Sequence, residues 1–236
     1  MKRIAPLCVF LVGTTLLATA EDHWQSDPKK CSEPGQTDPH CKPSAGPGFT
    51  QGSARIESTP SAQNIAMLKQ HAANGDAEAQ YNLGNLYAFG QGVTQDYARA
   101  AIWYREAAQQ GNADAQFALG DLYEDGNGVP QDYSQAATWY RKAADQGDVV
   151  AQLDLGVLYE HGHGVPRDYA EAYFWLDLSA AGKVPGLTPE FTAAFREGMR
   201  KTRDEAASHL TPADLSRAQE RARKWFEDHP PKRLSQ

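Results

Sequence analysis

A 36-residue pattern runs three times in register through the middle of the chain, and it constrains the fold more than any other feature. The blocks span residues 75–110, 111–146 and 147–182. The first two are identical at 22 of 36 positions, and the third keeps the same skeleton while it diverges at both ends. A fixed period of this length is typical of repeat arrays, in which each unit buries its apolar surface only against its neighbours.

Each block contains two stretches with the apolar spacing of a helix. In the first stretch, Ala79, Leu83, Leu86 and Tyr87 recur at the same positions of the next two blocks, and their spacing places them on one helical face. A Gly-x-Gly turn follows, where glycine tolerates backbone angles that other residues resist. The second stretch starts at an aspartate that can accept amide hydrogen atoms from the first helical turn, namely Asp96, Asp132 and Asp168.

One glycine also recurs in the middle of each first stretch, at Gly84, Gly120 and Gly156. Glycine inside a helix costs about 1 kcal/mol relative to alanine, so three recurrences at one place need a physical reason. We expect the two helices of each repeat to approach each other so closely at this point that no side chain fits between them.

The motifs A-x-x-x-L-G-x-L-Y, G-x-G-V and D-Y-x-x-A-x-x-W-Y-x-x-A-A follow one another in these blocks. In this combination they resemble the Sel1-like repeat family, whose α/α units are related to tetratricopeptide repeats. The resemblance covers residues 75–182 and implies an all-α fold, an α/α solenoid of stacked helix pairs. An apolar pattern at Ile65, Leu68 and Ala72 adds one helix in front, so the predicted solenoid spans residues 61–182.

After the third repeat, the chain resembles the ending that is usual in this family, with Arg203-Asp204 followed by Leu210-Thr211-Pro212. Residues 183–228 are therefore expected to form C-terminal capping helices, the first of which starts at Thr188-Pro189. Polar outer faces on these helices would close the open end of the stack, and residues 229–236 form a tail. The last helix carries the apolar stripe Leu215, Ala218, Ala222, Trp225 and Phe226.

Residues 1–20 have the features of a cleaved export signal. Lys2 and Arg3 precede a short apolar stretch from Ile4 to Leu17, and residues 18–20 form an Ala-Thr-Ala cleavage pattern. The apolar stretch is too short for stable membrane insertion. We therefore expect a mature chain that begins near Glu21 and is periplasmic or secreted.

Residues 21–60 are rich in Pro, Gly, Ser and Gln and lack periodic apolar positions, so they are predicted to form a disordered arm. This arm contains the two cysteines that remain after cleavage, Cys31 and Cys41. In an oxidising compartment such a pair predicts a disulfide, and closure of so short a loop contributes about 2–3 kcal/mol at most. A redox or metal-binding pair is the alternative, although the spacing is not that of a CxxC motif.

The charge balance limits the kinds of partner. The formal net charge is −7, from 23 basic and 30 acidic residues, and removal of the signal makes it more negative. Neutralising phosphates requires clustered Lys and Arg, so an acidic surface argues against binding to nucleic acid. It also argues against docking on anionic lipid.

The sequence lacks the motifs of common catalytic sites: HExxH, GxSxG, GxxxxGK[ST] and the dinucleotide glycine fingerprint. Ser26-Asp27-Pro28-Lys29 fits SxxK formally but lies in the Pro-rich arm. Sel1-like proteins that are associated with β-lactam binding or hydrolysis carry a disulfide in each repeat, and these repeats contain no cysteine. We expect no enzymatic activity and no cofactor, and a β-lactam-binding or hydrolysing enzyme is the alternative.

A histidine-rich turn in the third repeat is a candidate metal site. Glu160, His161 and His163 could contact a metal ion, but these are variable loop positions. The other repeats hold Ala88, Phe89 and Gln91, and Glu124, Asp125 and Asn127. A closed metal site needs about four ligands, so solvated loop histidines are the preferred interpretation. We expect no metal.

The resemblance to tetratricopeptide arrays implies that the first helix of each repeat lines a concave groove. Alignment on the Leu-Gly pair places aromatic or aliphatic residues at its centre, with acids around them. Such a surface suits an extended or helical protein segment with apolar anchors and basic flanks. The predicted partner-binding residues are Glu78, Tyr81, Asn85, Phe89, Asp114, Phe117, Asp121, Glu124, Leu153 and Val157.

These observations favour a non-enzymatic scaffold or adaptor that binds a protein partner in the bacterial envelope or outside the cell. Two other interpretations of the same positions stay open. A cell-wall polymer could bind to the aromatic residues, or the positions could be ordinary solvent-exposed sites.

Overall fold

The computed structural model describes residues 61–182 and 189–229. This part of the chain is entirely α-helical and contains no strand. The predictions for the export signal, the arm with Cys31 and Cys41, the SxxK motif, Thr188 and residues 230–236 lie outside it. The helices are α1 (Ala62–Ala73), α2 (Ala77–Phe89), α3 (Tyr97–Gln109), α4 (Ala113–Asp125), α5 (Tyr133–Asp145), α6 (Val149–His161), α7 (Tyr169–Ala181), α8 (Pro189–Ser208) and α9 (Pro212–Asp228).

The three repeats form the helix pairs α2–α3, α4–α5 and α6–α7, and each pair packs against the next. The predicted all-α repeat solenoid is therefore confirmed. The helix predicted in front of the first repeat is α1, in which Ile65 and Ala72 are buried. Leucine and alanine side chains at the same place of each repeat are buried in apolar clusters along the stack, as the 36-residue period predicted. Half-buried Tyr123 packs against the first two of these clusters.

Side-chain caps begin the helices of every repeat. The carboxylates of Asp96, Asp132 and Asp168 accept hydrogen bonds from backbone amides in the first turns of α3, α5 and α7, as predicted. A second set of caps was not foreseen: Asp76, Asn112 and Asp148 do the same for α2, α4 and α6. Each repeat therefore fixes both of its helix starts with short polar side chains.

The glycines inside the first helices mark the closest approach within each repeat. A Cβ atom on Gly84 would lie 2.5 Å from the ring of Tyr104, and one on Gly120 would lie 2.5 Å from the ring of Tyr140. On Gly156 it would lie 2.7 Å from Cγ of Leu176. These distances are below van der Waals contact, so the expectation of a close approach without a side chain is confirmed.

A buried glutamine links each repeat to the one before it. The Gln116 side chain, 4 % exposed, donates a hydrogen bond to the carbonyl oxygen of Ala108 at 3.0 Å. Its own oxygen accepts from Nε2 of Gln146 at 2.8 Å. Gln80 makes the same two contacts one repeat earlier. We call these glutamine hydrogen bonds the glutamine ladder. They satisfy carbonyl groups at the helix ends, where the backbone leaves such groups without helical partners.

Replacement of Gln116 by alanine should lower the free energy of unfolding by about 2 kcal/mol, because buried polar groups lose partners and a small cavity remains. Urea denaturation followed by circular dichroism measures the change. The matched control is Gln135→Ala at an exposed position of α5, where we expect a change within about 0.5 kcal/mol. Equal losses in the two variants would contradict the role assigned to the ladder.

The stack ends on α8, which packs along α7. Within the repeats, an arginine on a second helix donates to a tyrosine hydroxyl on the next first helix, as Arg105 does to Tyr123 at 3.0 Å. At the end of the stack, Asp177 on α7 holds the repeat position of Arg105, and it forms an ion pair with Arg203 on α8 at 3.0 Å. The second helix here supplies the acceptor instead of the donor. Thus α8 occupies the place of a next first helix.

Helix α9 folds back onto α7. Its Arg221 side chain pairs with Glu171 and lies 3.9 Å from the ring centroid of Phe174. Ala218 and Ala222 of the predicted apolar stripe are buried, whereas Phe226 is 37 % exposed. The predicted apolar stripe is therefore buried at its centre, and its last residue is partly exposed to solvent.

Candidate functional site

The ten predicted partner-binding residues all lie on the first helices of the repeats, α2, α4 and α6. We call the surface that they define the first-helix face. Half-buried aromatic rings form its centre in the first two repeats. The ring centroid of Tyr81 lies 5.9 Å from that of Tyr104, and the centroid of Phe117 lies 5.7 Å from that of Tyr140.

The remaining predicted residues are not equally accessible. Glu78 and Asp114 are exposed, and Phe89 is 48 % exposed. Asn85 is buried within the first repeat. Leu153 is also buried, and together with the half-buried Val157 it packs in a cluster that Met199 of α8 joins. The accessible part of the face therefore belongs mainly to the first two repeats.

Hydrogen bonds tie this face to the second helices. In the first repeat, the Tyr104 hydroxyl group donates to Oδ1 of Asn85 at 2.6 Å. In the second repeat, the Tyr140 hydroxyl oxygen lies 2.7 Å from Oδ1 of Asp121 and 2.7 Å from Oε2 of Glu124. The tyrosine at this repeat position thus contacts a neutral amide in the first repeat and two acidic side chains in the second.

Burial and like charges make this acidic region costly to ionise. Burial raises the pKa of Asp121 to about 7, and the neighbouring Glu124, Asp125 and Asp148 add to the effect, while the Tyr140 hydrogen bond opposes it. Burial likewise raises the pKa of Glu124 and raises that of Asp154 on α6 well above its usual value. His163 favours the charged form of Glu124.

Sequence analysis missed Asp154, which lies outside the aligned groove positions. Asn82 and Ala118 occupy the equivalent places in the other repeats, so the internal repeat shows only that this position varies. Sequence analysis also missed the glutamines of the ladder, although their recurrence at 80, 116 and 152 was a visible signal.

The histidine rings of the third-repeat turn contact each other and a neighbouring tyrosine. The rings of His161 and His163 lie 5.5 Å apart, and His163 lies 5.2 Å from the ring of Tyr133. Residues 61–182 and 189–229 contain no group of three or more His, Cys, Asp or Glu side chains that is arranged to hold a metal ion. Within the same ranges, no helix has both the length and the apolar character needed to cross a membrane.

The Asp121 pKa predicts how stability depends on pH. A group whose pKa is higher in the folded state, here about 7 against about 3.9 when unfolded, stabilises the fold at low pH and loses that contribution as the pH rises to 7. Asp121→Asn should remove this loss, so at pH 8 the variant should be more stable than the wild type by about 1–2 kcal/mol. At pH 4 the two should be similar.

Urea denaturation at pH 4 and pH 8 measures this difference. The natural control is Asn85, which accepts the Tyr104 hydrogen bond as a neutral amide at the equivalent position. Asn85→Asp should therefore introduce an additional loss of stability with rising pH. An Asp121→Asn variant with an unchanged pH profile would show that the aspartate ionises at its ordinary pKa.

The helix pairs form an α/α solenoid, and the first-helix face of its first two repeats is accessible to solvent. This architecture is typical of repeat proteins that bind other molecules on an extended surface. The Sel1 repeat model matches residues 77–112, 113–148, 149–183 and 208–227, which is more than half of the chain. The protein belongs to the Sel1 repeat family. The fourth match falls on α9 and the turn before it, a segment that the sequence predicted as part of the cap.

Solved structures of similar proteins include a Sel1 repeat protein from Oxalobacter formigenes. It is 35 % identical to this chain, with a TM-score of 0.50, and the match covers 61 % of this chain and 98 % of that one. A protective antigen present in uropathogenic Escherichia coli strains is 28 % identical, with a TM-score of 0.49, over 74 % of this chain and 44 % of the antigen. No curated protein matches the chain.

Proposed function

We propose that this protein is a non-enzymatic interaction scaffold of the bacterial envelope or the extracellular space. Sel1 repeat proteins generally mediate protein–protein interactions, and their fold is typically a non-enzymatic scaffold. On this proposal, a segment of a partner protein binds along the first-helix face. The export signal predicted in residues 1–20 is the basis for the location.

The observation that carries the proposal is the pairing of apolar rings with acids on the first-helix face. Tyr81 and Phe117 are half-buried, and the ring of each contacts a tyrosine of a second helix. Aromatic residues held in this way are typical anchors of protein interfaces. Acids beside them would steer a basic segment towards the face.

Site-specific photo-crosslinking tests this role in cells of the native host. The photoreactive residue p-benzoylphenylalanine replaces Phe117 in one variant and Ile102 in the other. Ile102 is 53 % exposed on the second helix α3 and is the matched control. We expect a discrete crosslinked protein from position 117 that is absent from position 102, and that disappears when Tyr81→Ala is added. Equal crosslinking at both positions, or none at 117, would contradict the proposal.

The location has its own test. Mass spectrometry of protein purified from the envelope fraction and the medium should give a mature chain that begins at Glu21. A chain that keeps Met1 and stays inside the cell would overturn the envelope assignment. The β-lactam alternative gains no support from the described residues, because Ser26 and Lys29 lie outside them.

A further inference from the structure

Helix α1 is built as the second helix of a repeat whose first helix does not precede it within the described residues. In the 36-residue register, Gly75 corresponds to Gly111, so α1 takes the place of α3 one repeat earlier. On α3, Tyr104 packs against Gly84 of α2, and the residues of this helical face are at most 3 % exposed: Ala100, Tyr104 and Ala107. On α1 the equivalent residues are more accessible, since Asn64 and His71 are exposed and Leu68 is half-buried.

An open groove lies on this face of α1, and we call it the end groove. Its volume is about 380 Å³, and residues of α1 and of the first half of α2 line it, among them Asn64, Met67, Leu68, His71, Ala79 and Asn82. Met67 is 59 % exposed, more than any other large apolar side chain that the structure describes. A solenoid needs a cap on each terminal repeat, so this apolar surface is where a cap is expected at the front of the stack.

The opposite end of the stack is capped by the chain itself, through α8 and α9. Arg203 of α8 takes the contact that Tyr123 makes in the second repeat. Counted back from it, the place of the inner glycine Gly120 falls on Arg200, which is exposed. An arginine at this place disfavours the close approach of a further helix, so the stack does not continue from α8 onto the α1 of a second copy in the register of the repeats.

Within the repeats, the chain that leads into a second helix covers part of the apolar core. Three residues before each capping aspartate, a half-buried valine packs against the apolar clusters: Val93, Val129 and Val165. The chain that leads into α1 carries Ile56, five residues before the helix cap Ser61. Five extended residues span about 17 Å. The axis of α1 rises by only about 10 Å from Ser61 to Leu68, so Ile56 can reach the end groove.

We propose that residues 53–57 of this chain fold back over the end groove, and that the Ile56 side chain packs there against Met67 and Leu68. The segment is tethered to α1 at Ser61, so its effective concentration at the groove is on the order of millimolar. A contact of modest affinity is then enough to keep the groove covered. The inference concerns the end of the stack and does not depend on the partner proposed for the first-helix face.

Oxidation by hydrogen peroxide tests the inference on the purified chain that begins at Glu21, because a methionine reacts according to its exposure. Mass spectrometry of proteolytic fragments gives the rates for Met67 in the groove and for Met199, which is 6 % exposed and reports on the fold. We expect Met67 to react at least fivefold faster in Ile56→Asp than in the wild type, with Met199 equally slow in both. Ile56→Val should keep the protection. Gln36→Asp, the control for the added charge, should match the wild type.

A photo-crosslink identifies the occupant independently of any loss of stability. With p-benzoylphenylalanine in place of Ile56, the purified chain should form crosslinks to α1 or α2 within one molecule. Crosslinks that join two molecules would show that a second copy fills the groove, and they would overturn the inference. The absence of a crosslink to α1 or α2 would overturn it too, as would equal oxidation rates of Met67 in the wild type and in Ile56→Asp. If Met199 also reacts faster in Ile56→Asp, the substitution has loosened the fold and the crosslink decides.

Discussion

Replacement of Gly128 by alanine should lower the free energy of unfolding by about 4 kcal/mol, although this glycine lies at the surface. Its φ of +69° belongs to the left-handed region, where other residues are strained by about 1–3 kcal/mol. The added Cβ atom would also lie 2.3 Å from the carbonyl carbon of Tyr97 and 2.4 Å from the amide nitrogen of Ala98. These are backbone atoms of α3, and they cannot move aside as a flexible side chain can.

The control for this prediction is Gly111→Ala. Gly111 has a φ of +91°, but its Cβ atom would meet nothing within 4 Å. It should therefore show the backbone strain alone, about 1–2 kcal/mol. Urea denaturation of both variants separates the strain from the clash. If the two lose the same stability, the contact between the turn of one repeat and the first turn of α3 in the repeat before it contributes nothing.

Sequence reasoning recovered the parts of the fold that depend on a local repeating pattern. The buried positions Leu83 and Leu119, the aspartate caps and the inner glycines were predicted because each serves the same purpose in every repeat. The turn glycines were predicted only as turn formers. The structure assigns them two roles: Gly126 ends α4 with a φ of +74°, and Gly128 touches the preceding repeat.

The candidate site was predicted less completely, because it depends on contacts between repeats that differ. Alignment to a related architecture selects a helix face, but it does not show that Leu153 packs in one cluster with Met199 of α8. Nor does it show that Asp121 raises the pKa of Asp154 on the next first helix. Tyr97 shares the apolar spacing of α3 with the buried Ala100 and Tyr104, yet it is 37 % exposed. Its place in the periodic pattern is correct, but it lies at the start of α3, where fewer side chains cover it.

Replacement of Gly120 by alanine should lower the free energy of unfolding by about 3 kcal/mol, at the upper end for an added methyl group in a packed core. The new Cβ atom would lie 2.5 Å from two carbon atoms of the Tyr140 ring. That ring is 1 % exposed, and its hydroxyl group is held by Asp121 and Glu124, so it has little room to move. The control is Gly198→Ala in α8, where the Cβ atom meets nothing within 4 Å. It should raise stability by about 1 kcal/mol through helix propensity.

A double-mutant cycle tests whether the rigidity of Tyr140 causes the loss. The third repeat pairs its glycine with Leu176, a smaller side chain that no hydrogen bond fixes at its tip. In a Tyr140→Leu background, Gly120→Ala should therefore cost about 1 kcal/mol less than in the wild type. An equal cost in both backgrounds would place the obstacle in the backbone of α5 instead. Tyr140 also forms hydrogen bonds with Asp121 and Glu124. Gly120→Ala should therefore weaken the binding of any ligand to the first-helix face, whereas Gly198→Ala should leave that binding unchanged.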